Sequence, residues 1–77
     1  MELRKVFARN LKRLRKAAGL SQEELALRAG LDRTYISALE RSIYSASVVT
    51  IERLAKALNT EPTEFLQRTT KNQERRG

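Results

Sequence analysis

The sequence predicts an all-α fold of five short helices, and three observations predict it. Apolar residues recur at three- and four-residue steps rather than in alternation. Leu, Ala, Arg, Lys and Glu, all good helix formers, dominate the chain. The periodic stretches are separated by helix stop and start residues: Gly19 before Ser21, Gly30 before Asp32, Asn59 before Pro62. No strand pattern and no internal repeat is present.

The first helix is expected from about Glu2 to Ala18, with Leu3, Phe7, Leu11, Leu14 and Ala18 on one stripe and Gly19 as its terminator. The second opens at Ser21-Gln22-Glu23-Glu24, a capping box in which the Ser hydroxyl takes the Glu24 amide and Glu24 reaches back. Leu25, Ala26 and Ala29 are its apolar face, and Gly30 ends it. Asp32 is placed to cap a third helix from Arg33 to about Arg41, its carboxylate against the exposed amides. Residues 42–47 read as a loop. Ser47 caps a fourth helix, Val48 to Leu58, with Val48, Ile51, Leu54, Ala55 and Leu58 inward and Asn59 as terminator. Pro62 belongs in the first turn of a fifth helix that runs to about Arg68, with Phe65 and Leu66 apolar. The expected organisation is one domain over 1–68 and a flexible polar tail over 69–77, which has no apolar anchor.

Composition narrows the function. With 77 residues there is room for one small domain. The absence of Cys and His excludes disulfides, Cys-based zinc sites and His- or Cys-based catalysis. No apolar run approaches the roughly 18–20 residues of a membrane span, and no signal peptide is recognisable, so a cytoplasmic protein with no membrane role is expected. Clustered carboxylates that would suggest an enzyme are missing, and no cofactor, metal or small-molecule ligand is implied. The net charge is +7, and six of those charges fall in residues 1–20, where seven basic groups meet Glu2 alone. An anionic partner is implied, and nucleic acid is the default.

Residues 21–41 carry the most information. An eight-residue helix, a turn of about three residues and a nine-residue helix have the length and punctuation of a helix-turn-helix. Ala26 is small enough for close crossing, Gly30 allows the turn, and Leu31 and Ile36 plug the angle between the helices. At about 100° per residue, Ile36, Leu39 and Tyr35 fall on the buried side of the third helix. Ser37, Arg41, Thr34 and Ala38 fall on the outward side. That side is short and polar, as a helix seated in the DNA major groove requires. Arg33, Thr34, Ser37 and Ala38 are the candidate base readers, with Arg33 suited to guanine and Ala38 to a thymine methyl. The candidate phosphate contacts are Gln22 with the amides at the start of the second helix, Arg41, Tyr44, Arg15 and Tyr35, the last being either a phosphate contact or a packing residue.

The same angular test puts Lys5, Arg9, Lys12, Arg13 and Lys16 on the far side of the first helix from its core stripe, a solvated face that serves solubility. Arg15 falls at the edge of the stripe, and Glu40 lies equally close to the buried side of the third helix. An Arg15–Glu40 ion pair bracing the two helices is expected.

Taken together, Gly19-Leu20-Ser21-Gln22-Glu23-Glu24-Leu25-Ala26, Gly30-Leu31-Asp32-Arg33-Thr34-Tyr35-Ile36-Ser37, Leu39-Glu40-Arg41 and Ile51-Glu52-Arg53-Leu54-Ala55-Lys56-Ala57-Leu58 resemble the phage-repressor-like helix-turn-helix family, also called Cro/C1 or XRE type. The resemblance covers about residues 5–67. The Leu31–Ser37 and Leu39–Arg41 stretches are similar to controller proteins of restriction–modification systems. The resemblance implies a five-helix, lambda-repressor-like DNA-binding domain and a transcription regulator. It also implies that Gln22, Arg33, Thr34 and Ala38 face DNA and that Arg15 pairs with Glu40. The sequence departs from the family at 42–47, where Ser42-Ile43-Tyr44-Ser45-Ala46-Ser47 replaces a Gly- or Asn-containing turn followed by Pro.

One recognition helix reads few base pairs, so a homodimer on a palindromic operator is expected, with double-stranded DNA as partner. Val49, Phe65 and Leu66 are the candidate interface, Phe65 serving either there or in the monomer core. An antitoxin-type module that binds DNA and a toxin is the alternative. An enzyme and a membrane-active basic peptide fit the sequence less well.

Overall fold

The structure, a computed structural model, describes residues 2–68, and the expected tail at 69–77 lies outside the described residues. Four α-helices run over Leu3–Ala17 (α1), Gln22–Ala29 (α2), Arg33–Glu40 (α3) and Val48–Leu58 (α4), followed by a 3₁₀ helix at Pro62–Leu66. The fold is therefore all-α among the described residues, but the expected fifth α-helix to Arg68 is a short 3₁₀ turn. Its five residues are already long for that form, and Gln67 is extended. The side chain of Asn10 secures this segment: its Nδ2 donates to the carbonyls of Phe65 at 2.9 Å and Gln67 at 2.7 Å, and its Oδ1 accepts from Arg13 at 3.1 Å.

All four α-helices stop in the same way. A residue with positive φ follows each, and the next residue's amide donates back to a carbonyl five residues earlier, the Schellman pattern. The pairs are Leu20 to Arg15, Leu31 to Ala26, Ile43 to Ala38 and Thr60 to Ala55. The left-handed residues are Gly19, Gly30, Ser42 and Asn59. Three of them match the expected terminators. Ser42 does not, and it supplies the turn that the family's Gly or Asn would make.

Helix starts divide differently. Ser21 and Glu24 form the reciprocal box, with the Glu24 amide donating to Ser21 Oγ at 3.0 Å and the Ser21 amide to Glu24 Oε1 at 2.8 Å. Ser47 Oγ accepts from the Thr50 amide at 3.1 Å. Asp32 occupies the cap position of α3, but its side chain makes no capping hydrogen bond, so the expected carboxylate cap is corrected.

The core is one cluster in which Phe7, Leu11, Leu25, Ile36, Leu39, Leu54 and Phe65 are buried. The rings of Phe7 and Phe65 lie 5.5 Å apart between centroids, tilted by 31°, a favourable offset arrangement. Val48 was expected inward but is 82% exposed, because the first turn of α4 projects beyond the core. Leu3 and Ala18, at the two ends of the α1 stripe, are likewise exposed.

Candidate nucleic-acid interface

α2 and α3 meet through Ala26, Leu31 and Ile36, all at least half-buried, with the Gly30 turn between them. Gly30 has a φ of 69°, and its carbonyl accepts from Arg53 at 3.1 Å. A Cβ at this position would meet that same guanidinium at 3.4 Å and would sit on a left-handed backbone. Arg53 thus holds α4 against the turn. The sequence reading did not single it out, since an arginine on a solvated helix face carries no pattern of its own.

Arg15 and Glu40 fix the angle between α1 and α3. Arg15 Nε donates to Glu40 Oε2 at 2.6 Å and its second nitrogen to Glu40 Oε1 at 3.0 Å, a bidentate pair. The third guanidinium nitrogen donates to the Leu20 carbonyl at 2.8 Å. The hydrogen bond to Glu40 raises the Arg15 pKa against the opposing effect of burial. Each nitrogen of this side chain is engaged and the residue is buried. The assignment of Arg15 as a phosphate contact is therefore corrected: it is an internal brace. Gln22 joins the same brace, donating from Nε2 to Glu40 Oε1 at 3.1 Å.

The outward face of α3 presents Arg33 and Thr34, both exposed, and Ser37, partly exposed. Ala38 is only 5% exposed. The chain folds back across the last turn of α3, where the Ile43 amide reaches the Ala38 carbonyl, so Ala38 is removed from the set of base readers. α3 also ends at Glu40, one residue short of the expected nine, because Arg41 leaves helical angles. Arg41 and Tyr44 are exposed beside this face. Tyr35 is half-buried against the core, its hydroxyl shares a hydrogen bond with Thr50 Oγ1 at 3.4 Å, and its ring lies 6.3 Å from that of Tyr44. These contacts hold the Tyr35 side chain against the core and α4.

The candidate interface residues separate. Phe65 is fully buried in the monomer core and is corrected as an interface residue. Val49 and Leu66 are exposed. Leu66 lies between two adjoining shallow grooves, one lined by Leu3, Phe7, Ala46 and Ile51, the other by Val48, Ile51, Pro62 and Thr63.

A helix-turn-helix family model matches residues 11–65. The chain belongs to this family. It is 49% identical over 57 residues to a hypothetical transcription factor of Neisseria meningitidis, covering 74% of this chain and 54% of that protein. It is 41% identical over 68 residues to the control protein C.SmaI of Serratia marcescens, covering 88% of this chain and 81% of that one. Among solved structures it is similar to the restriction–modification controller protein C.Esp1396I, seen as a tetramer with its natural 35-base-pair operator. The TM-score there is 0.78 at 32% identity, over 84% of this chain and 86% of that chain. Among the described residues, no helix is long and apolar enough to cross a membrane.

Proposed function

We propose that this chain is a sequence-specific regulator of transcription that binds double-stranded DNA, homologous to restriction–modification controllers and acting in the cytoplasm as a homodimer on a palindromic operator. The observation that carries the reading is the exposed, short and polar face of α3, braced from behind by Arg15 and Glu40. A helix so shaped enters the major groove without the bulk that long side chains would impose.

Arg33, Thr34 and Ser37 are the base readers. The start of α2 with Gln22, together with Arg41 and Tyr44, grips flanking phosphates and sets the register. The function is binding, with no catalytic step and no cofactor.

The homodimer follows from the limits of one reading helix and from the exposed apolar face around Leu66. A dimer that reads a two-half-site operator must present its two α3 helices about 34 Å apart, to successive major grooves. The operator-bound controller relative supports an oligomer on DNA.

The direct test is duplex binding by the full chain as salt is raised. Phosphate neutralisation predicts a linear fall of log affinity against log salt, with a slope of about −0.9 per phosphate contacted. An affinity insensitive to salt contradicts the reading.

A further inference from the structure

One hydrogen bond ties the start of α2 to the end of α3, and its direction is chemically fixed. Gln22 is the first residue of α2 and Glu40 the last of α3. A glutamine amide has two ends of like shape and opposite polarity, two N–H donors on Nε2 and an accepting Oε1. Half a turn about its last bond exchanges them. The Glu40 carboxylate decides between the two. Its side chain is buried and takes both contacts of the Arg15 guanidinium, so it accepts and does not donate. Gln22 must therefore turn Nε2 inward, and Nε2 donates to Glu40 Oε1 at 3.1 Å. The two N–H bonds of an amide nitrogen diverge, so the second is aimed away from the buried carboxylate. Gln22 itself is half-exposed.

Arg15 settles the electrostatics of this arrangement. A lone carboxylate behind Gln22 would repel an approaching phosphate. The bidentate pair is neutral as a unit, so Glu40 orients the amide without opposing an anion. The held side chain also has less rotamer freedom to lose when it makes a contact. Glu40 belongs to the same helix as Arg33, Thr34 and Ser37. A phosphate engaged by Gln22 thus lies at a fixed offset from the base readers, and phosphate contacts are what set register.

We propose that Glu40, beyond bracing α1 against α3, is the positioning residue for the phosphate contact of Gln22, holding its amide so that the second Nε2 proton is presented to one DNA phosphate. This rests on the proposed grip of the α2 start on phosphate.

The test compares the full chain with Gln22→Ala, with Arg15→Met/Glu40→Leu and with all three changes together. The second variant replaces the brace by apolar groups, an exchange that buried ion pairs commonly tolerate, so it is expected to fold. Affinity is measured for a duplex carrying a site that the wild type selects from random DNA. Gln22→Ala is expected to lose about tenfold, as one hydrogen bond to a charged group is worth. Arg15→Met/Glu40→Leu should lose about threefold to tenfold with Gln22 present, and less than about twofold with Gln22→Ala already in place. Equal loss in both backgrounds, or loss in neither, overturns the proposal and leaves Glu40 a brace alone. A second readout needs neither DNA nor a variant. In nitrogen-15 NMR spectra of the wild type, one Gln22 Nε2 proton should be displaced from the position of a solvated glutamine and protected from exchange. Two solvated protons overturn the proposal even if the apolar pair fails to fold. A wild type that binds duplex and shows an additive cycle overturns this proposal alone. One that binds no duplex overturns the α3 reading with it.

Discussion

The Glu40 carboxylate is 4% exposed at its side chain and takes hydrogen bonds from Arg15 and Gln22. Removing the arginine strands a buried charge, so Arg15→Ala is expected to cost about 3–5 kcal/mol, a large share of the roughly 5–15 kcal/mol typical of a whole domain. Urea denaturation measures it, and a loss below about 1 kcal/mol would contradict the brace. Ser42 gives a prediction of opposite sign. It holds a φ of 62° without the freedom of glycine, and such a residue stores about 1 kcal/mol or more of backbone strain. Ser42→Gly should therefore raise stability by about 0.5–1 kcal/mol in the same denaturation experiment, and a destabilised variant would show that the Ser side chain contributes more than the turn costs. At this scale the sequence was only partly legible. Gly19, Gly30 and Asn59 declare their turns by residue type, whereas Ser42 takes the same conformation with no such residue-type signal, in the turn where the Ile43 amide returns to the Ala38 carbonyl. Ala38 falls outward by helical angle alone, yet it is only 5% exposed, because angle within one helix says nothing of what the rest of the chain lays over it.

Among the elements, α2 has the best defined start. The Ser21 amide and hydroxyl both hold the exposed Glu24 carboxylate in its charged form, with the backbone contact the larger, and lower its pKa below that of an ordinary glutamate. The cap therefore adds stability at pH values above the unfolded pKa, and that contribution fades as pH falls through the lower folded value. A carbon NMR titration of Glu24 should give a midpoint below the ordinary range near 4.3, and one at or above that range would remove the box from the account. The four α-helices and the helix-turn-helix spacing were legible because the helical periodicity agrees with the caps at Ser21 and Ser47 and with the terminators Gly19, Gly30 and Asn59. The 3₁₀ helix was not, since a proline with an apolar pair three and four residues on, Pro62 with Phe65 and Leu66, fits the first turn of an α-helix equally well. What decides it is Asn10, which reaches the Phe65 and Gln67 carbonyls from 55 and 57 residues away. No local pattern encodes so distant a contact.

Taken whole, the molecule divides its surface between a reading face on α3, a solvated basic face on α1 and an apolar face around Leu66. The last is where two copies are proposed to meet. A charge at its centre should prevent that: Leu66→Lys is expected to sediment as a monomer at concentrations where the wild type is a dimer, and to bind a two-half-site operator at least tenfold more weakly. An unchanged sedimentation coefficient would move the dimer contact elsewhere, Val49 being the next exposed apolar candidate. The family was legible at this scale because several separated motifs occur in order. Which apolar residues close the monomer and which remain outside was not, since Phe65 and Leu66 are adjacent and differ only in the side of the 3₁₀ turn they occupy.

The central claim is that the outward side of α3 reads bases. It is tested most directly by selecting bound sites from random duplex DNA with the wild type and with Arg33→Ala. The account predicts a two-fold symmetric motif with half-sites centred about 10 base pairs apart. For the variant it predicts an affinity lower by about 1–3 kcal/mol, with preference relaxed at one position in each half-site. The same motif, recovered with undiminished preference at every position by the variant, would contradict it.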